Sequence, residues 1–317
     1  MKRFLVRRVV LALFTLAMLS LVVFVATHLL PGDVGKSILG PFADRDAVKL
    51  LNHQLGTDRS IPAQYLTWVG NFLHGDLGQS FKYDVPVSGK LRPALGYSAR
   101  LAVLAFVMVV PLSIFGGIVA ALRRGKLIDR IITIGGLSAA IVPEFVWAVI
   151  LILVVGVRLK WLPVNALAPD GSSVVTQYRY LVLPAMCLVL VRFGYIARIT
   201  RAGVIEALDA DYTRTALLKG LPRRTVITRH VLRNALMPTI SVVATQIGYM
   251  VGGLVAVELI FNYPGFGLLL LNAVKNKDYP LLQSAVLITG IIIVFTTFLA
   301  DIAFTLLNPR IRQGVLK

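Results

Sequence analysis

The chain has 317 residues, a formal charge of +18, 57% hydrophobic residues and a mean hydropathy of +0.78. That much apolar surface cannot be hidden in a soluble core of this size, which excludes an ordinary globular protein and points to a membrane class. The lone cysteine, Cys187, excludes a disulfide framework and a cysteine metal site, and His28, His53, His74 and His230 lack ligand spacing.

A membrane span needs ~20 mostly apolar residues, because in lipid the backbone must satisfy its own hydrogen bonds. In chain order, residues 9–30, 101–122, 131–157, 181–203, 237–261 and 284–307 meet that need, which predicts an all-α, polytopic protein with six transmembrane helices. The first run follows Lys2, Arg3, Arg7 and Arg8 and could pass for a secretory signal. It is longer than a signal core and has no convincing small-x-small cleavage site, so it reads as a retained helix. Residues 31–100 form a polar segment rich in turn residues. Within it, Gly32-Asp33-Val34-Gly35-Lys36-Ser37 ends like a phosphate loop but has two residues between its glycines instead of four. With no other phosphate loop and no catalytic constellation, any ATP energy must come from a partner, and the chain is not itself an enzyme.

The positive charge alternates along the chain. Arg123, Arg124, Lys126 and Arg130 crowd the loop after the second span, and Arg198, Arg201, Arg214, Lys219, Arg223, Arg224, Arg229 and Arg233 lie around the loop after the fourth. Arg310, Arg312 and Lys317 follow the sixth, whereas the intervening short loops are poorer. This pattern fits the positive-inside rule with both termini cytoplasmic, so topology and not nucleic acid explains the excess. Pro111, Pro143 and Pro184 fall inside spans and permit kinks. Gly116-Gly117, Gly135-Gly136 and Gly248/Gly252/Gly253 permit close helix approach, whether within the bundle or to a second chain. By organisation, residues 1–94 hold one helix and an extracytoplasmic segment, 95–309 the remaining five spans, and 310–317 a cytoplasmic tail.

Four ionisable residues lie inside predicted spans, where charge is costly: Glu144 and Arg192 near mid-span, Arg198 and Asp301 about two turns from the cytoplasmic ends. They read either as a polar lining or gate in a conduit, or as two interhelical ion pairs, Glu144–Arg192 and Arg198–Asp301; the paired reading is preferred.

The most informative stretch is 211–238, DYTRTALLKGLPRRTVITRHVLRNALMP. Ala216 and Leu217 favour a helix, Gly220 can end it in the left-handed conformation, and Pro222 can begin another. From composition alone this could equally be a basic helix lying on anionic lipid. Yet Tyr212-Thr213-Arg214-Thr215-Ala216, Lys219-Gly220-Leu221-Pro222 and Arg233-Asn234-Ala235 resemble the cytoplasmic coupling loop, here about 204–236, of ABC-importer permeases of the dipeptide, oligopeptide and nickel family. The match to the wider superfamily's Glu-Ala-Ala form is confined to Ala216 and Gly220, and the departures follow the peptide-permease branch.

Other pieces carry the same resemblance. They are His28 to Asp33 at the end of the first helix, Leu55-Gly56 with Asp58, and Gly75-Asp76-Leu77-Gly78-Gln79-Ser80. An exterior loop follows the fifth span, with Glu258, Pro264, Gly265 and Gly267, then Asp278-Tyr279-Pro280; Asn308 to Arg312 resembles the family's tail. The resemblance implies a type I, MetI-like permease bundle of the bacterial inner membrane, of the first-permease type. It implies a second homologous permease, two ABC ATPase subunits that bind the ATP and magnesium, and a periplasmic substrate-binding protein, with no cofactor in this chain. Short peptides, glutathione or nickel complexes would be the substrates. A stand-alone channel or ion-coupled secondary transporter is the alternative, but such proteins often show inverted repeats and midplane ion sites, neither of which is evident.

Overall fold

The computed structural model describes residues 2–29, 34–40 and 42–307. The expectations that fall on 30–33, on Pro41 and on the tail 308–317 lie outside the described residues. Among the described residues fourteen α-helices run in order: α1 (Lys2–Leu29), α2 (Val34–Leu39), α3 (Arg45–Leu55), α4 (Ile61–Leu73), α5 (Val87–Leu122), α6 (Leu127–Arg130) and α7 (Gly136–Ile141). They continue with α8 (Glu144–Leu151), α9 (Val174–Asp209), α10 (Asp211–Leu218), α11 (Arg223–Thr225), α12 (Leu232–Ile260), α13 (Phe266–Lys275) and α14 (Tyr279–Leu307). Wide π-helical turns fill Ile131–Gly135, Ile152–Arg158 and Val226–Val231.

Four helices are long and apolar enough to cross a membrane among the described residues, and six spans result if each of two bent pairs counts as one. The third expected span, 131–157, is not a straight helix. It consists of Leu127–Ile141 and Glu144–Arg158, bent by 106°. The reason is local: Pro143 cannot donate to the ladder and holds an extended backbone, φ −59° and ψ 151°, after Val142 has left the helix at ψ 124°. Pro184, by contrast, stays inside α9. The fifth expected span bends by 50° between Arg223–Met250 and Gly252–Ile260.

Among the described residues the helices form two compact units, and these do not follow the sequence order: those within 98–263 and 295–307 make one, those within 2–97 and 264–294 the other. In the first unit α9 is the central post. Its Gly194 lies so close to α7 that a side chain would collide with the Gly136 backbone. Val109, Val189 and Ile196 form one apolar cluster with Val242 and Val243 alongside. A second cluster joins Ala121, Val204, Ala207, Ala216, Val226, Val231 and Ala235. Gly248 and Gly252, by contrast, face open space.

In the other unit an aromatic stack runs from Phe24 and His28 of α1 to Tyr65, Trp68 and Phe72 of α4. Its apolar core joins Val87, Leu91 and Ala94 to Phe266, Ala273, Leu281, Leu282 and Ala285.

Candidate functional site: a braced helical turn and the charged pairs beside it

The turn between α10 and α11 has the geometry of a Schellman motif. Lys219 closes the helix, the Gly220 N–H donates to the Leu217 carbonyl at 3.0 Å, and the Leu221 N–H donates to the Ala216 carbonyl at 3.3 Å. Gly220 sits at φ +78°, the left-handed region that side chains resist, as its place in the sequence predicted. Pro222 then caps α11 from an extended conformation and points the chain back into α12. The expected loop 204–236 thus shrinks to Ala210 and residues 219–222 between helices.

What holds α10 in place was not legible in advance. Thr213, 2% exposed, donates its hydroxyl to the Ala207 carbonyl at 2.7 Å, and Ala216, 6% exposed, packs with Val204, Ala207, Val226 and Val231. The i, i+3 spacing of Thr213 and Ala216 marks one helix face, the only hint the sequence offered. The other face is bare: Tyr212, Leu217, Leu218 (88% exposed) and Leu221 lie open, with Arg214, Thr215, Lys219 and Pro222 exposed beside them. An apolar surface of this kind, rimmed with positive charge, suits contact with a protein partner or with a membrane surface.

A second feature braces the first unit. Arg201 of α9 grips Asp129 of α6 through two parallel bonds, Nε to Oδ1 at 2.6 Å and Nη2 to Oδ2 at 2.8 Å. Asp129, 4% exposed, also accepts from the Gly125 N–H at 2.9 Å and the Thr133 hydroxyl at 3.2 Å. Neither residue stands out as a site in the sequence, where Arg201 is one basic residue among many and Asp129 sits in a basic loop. Arg124 and Asp209 add an exposed pair at 3.3 Å, which contributes little.

Among the intramembrane charges, Glu144 and Arg192 meet: Nη2 lies 3.4 Å from Oε1 and 2.9 Å from the Tyr249 carbonyl oxygen. The other pair corrects the expectation. Arg198 is exposed and has no bond to Asp301, which is half-buried and engaged elsewhere. Similar depth in two helices does not turn their faces toward each other.

The segment expected to be an exterior loop is also largely helical. Glu258 is not in a loop but in the last turns of α12, fully buried, and the Ser98 hydroxyl donates to its Oε1. Gly267 belongs to α13, so only residues 261–265, Pro264 and Gly265 among them, are loop. In the other unit two pieces of the resemblance come together. Asp278 accepts from the Ser80 hydroxyl and from the N–H groups of Phe81 at 3.1 Å and Lys82 at 3.3 Å. The Ser284 hydroxyl donates to the Leu77 carbonyl at 3.2 Å. No cluster of His, Cys, Asp and Glu that could hold a metal occurs among the described residues.

Comparison with known proteins agrees with this architecture. Residues 113–313 match the family described as binding-protein-dependent transport system inner membrane component, and residues 1–109 match the N-terminal region of such membrane components. A probable peptide ABC transporter permease protein from Sinorhizobium fredii is 34% identical over 309 residues, covering 98% of this chain and 99% of its own. A putative peptide permease protein from Brucella suis is 34% identical over 320 residues with the same coverage. The glutathione transport system permease protein of Escherichia coli is 32% identical over 312 residues, again covering 98% and 99%. In this family ATP hydrolysis belongs to separate ATPase subunits, and a binding protein is a further partner. The chain belongs to the binding-protein-dependent transport system inner membrane component family, and is a multi-pass inner-membrane permease subunit of an ABC importer.

Proposed function

We propose that this permease imports short peptides, pairing with a second homologous permease so that the solute path runs between them, and coupling to two ATPase subunits through α10. The observation that carries the coupling role is the bare face of α10, Tyr212, Leu217, Leu218 and Leu221, held on a glycine turn and anchored by Thr213 and Ala216. A short helix braced on its inner face transmits a push from its outer face, because the Thr213 bond and the alanine contacts tie it to α9 and α12. The basic rim around it and around Arg123 and Arg124 supports placing these loops and both termini in the cytoplasm. ATP and its magnesium are bound by the ATPase subunits, and the periplasmic binding protein delivers the solute. The similarity to peptide permeases and to a glutathione permease supports peptides, glutathione being itself a peptide.

Import by such a machine requires two global states whose populations the partners shift. The test is uptake by proteoliposomes containing both permeases and the ATPases, with the binding protein added. Di- and tripeptides, glutathione and a nickel chelate are offered in parallel. ATP-dependent uptake of peptides is expected; uptake of the nickel chelate alone would replace peptides as the substrate. Uptake without ATPase subunits would favour a stand-alone transporter.

A further inference from the structure

The Glu144–Arg192 pair differs in kind from Asp129–Arg201. The latter is bidentate and saturated by two further donors. The former rests on one long contact of 3.4 Å, and Glu144 Oε2 has no bond. The same Nη2 also donates to the Tyr249 carbonyl, whereas Arg192 Nε is buried without an acceptor. A guanidinium offers more donors than these contacts use. The pair retains binding capacity.

Its surroundings are shaped to keep that capacity open. Gly253, one turn beyond Tyr249 on α12, leaves room that a side chain would take: a Cβ there would stand 3.0 Å from Glu144 Oε1. The side chains of Arg192 and Glu144 are 17% and 22% exposed. Tyr195, three residues along α9 from Arg192, Tyr249, whose carbonyl accepts from Arg192, and Phe145, next to Glu144 in sequence, all have exposed side chains. A charged pair within a span cannot present its open side to lipid at tolerable cost, so that side faces protein or a wet path. In a permease the wet path is the solute's.

We infer that Glu144 and Arg192 form the binding site for the two charged ends of a zwitterionic short peptide, Arg192 taking the carboxylate and Glu144 the ammonium group. The inference rests on the peptide reading of the function and names the residues that recognise the substrate's termini. The ends of an extended dipeptide lie roughly 7 Å apart, so binding must part the pair. Glu144 is the first residue of α8, immediately after the 106° break at Val142 and Pro143. No backbone helical hydrogen bond crosses that break, but the Trp147 indole N–H donates to the Ala139 carbonyl across it at 2.9 Å. The pair therefore parts by turning the Glu144 side chain or by giving up that one bond. Tyr249, Tyr195 and Phe145 then offer apolar surface to the peptide's side chains.

The experiment is equilibrium binding to the purified complex of both permeases and the ATPases, without the binding protein. The probes are dialanine, N-acetyl-dialanine and dialanine amide. In the wild type each blocked peptide should bind about tenfold more weakly, the scale set by one hydrogen bond to a charged group. Glu144→Gln should abolish the penalty for acetylation and keep that for amidation; Arg192→Gln should do the reverse, and Arg192→Lys should retain the amide penalty. Equal affinities for the three peptides in the wild type, or variants that weaken all three alike, would overturn the assignment. Where a glutamine variant does not assemble, the wild-type peptide series alone decides. Peptide uptake with the binding protein, measured beside it, separates the two readings. Uptake with a flat binding series sinks this inference and leaves import intact, whereas neither uptake nor binding sinks both.

Discussion

Replacing Gly220 with valine isolates the aim of α10 from the stability of the bundle. A Cβ at Gly220 would meet no atom within 4 Å, so the substitution introduces no clash, and its whole effect comes from φ +78°. A side chain in the left-handed region costs about 1–2 kcal/mol, toward the upper end for a β-branched residue. The chain can avoid that strain only by giving up the Gly220 and Leu221 N–H bonds to Leu217 and Ala216, each contributing ~0.5–1.5 kcal/mol. Either way the loss is about 1–3 kcal/mol, small beside the ~5–15 kcal/mol that holds a typical folded protein together. Assembly of the two permeases should therefore survive while the bare face of α10 turns away from its partner. The assay is co-purification of the ATPase subunits, with the ratio of peptide uptake to ATP hydrolysis in proteoliposomes. Asparagine, which tolerates the left-handed region, should sit nearest to glycine, then alanine, then valine. A valine variant that keeps its ATPases and its wild-type uptake ratio would refute the idea that this turn aims the transmitting helix.

Two further outcomes are expected. Asp129→Asn leaves Arg201 with a neutral partner at a site 4% exposed. Breaking a fully buried pair costs ~3–5 kcal/mol, and the 27% exposure of Arg201 brings the figure below that range, to about 2–3 kcal/mol, read as lost thermal stability of the purified complex. Removing Arg201 as well should recover part of it; a double variant as unstable as the sum of the singles would mean the two do not act together. For orientation, single cysteines at Lys82 and Arg224, both exposed, should react oppositely with a membrane-impermeant thiol reagent, position 82 alone being labelled in intact spheroplasts. Ser80, at 2% exposure, is unsuited to the purpose, and the fully buried Cys187 can remain. Labelling at 224 and not at 82 would reverse the proposed topology.

Residues near in sequence told their own story. Apolar runs of span length, the bias of arginine and lysine between loops and the Gly220-Leu221-Pro222 turn depend on bonds within a few residues, so α1, α5, α9, α14 and the α10 turn were legible as text. The 106° break was foreshadowed by Pro143, but its size was not, because proline sets where a helix is interrupted and its neighbours set where the next one points. Pairings across the chain were decided by the tertiary structure alone. Asp129 and Arg201 stand 72 positions apart, Ser98 and Glu258 160, and Ser80 and Asp278 198. Arg198 and Asp301 show why such pairs escape a linear reading. Helical rise gives a residue's depth, but a bond also needs the two helices rotated face to face, and that rotation is set by packing such as Gly194 against Gly136.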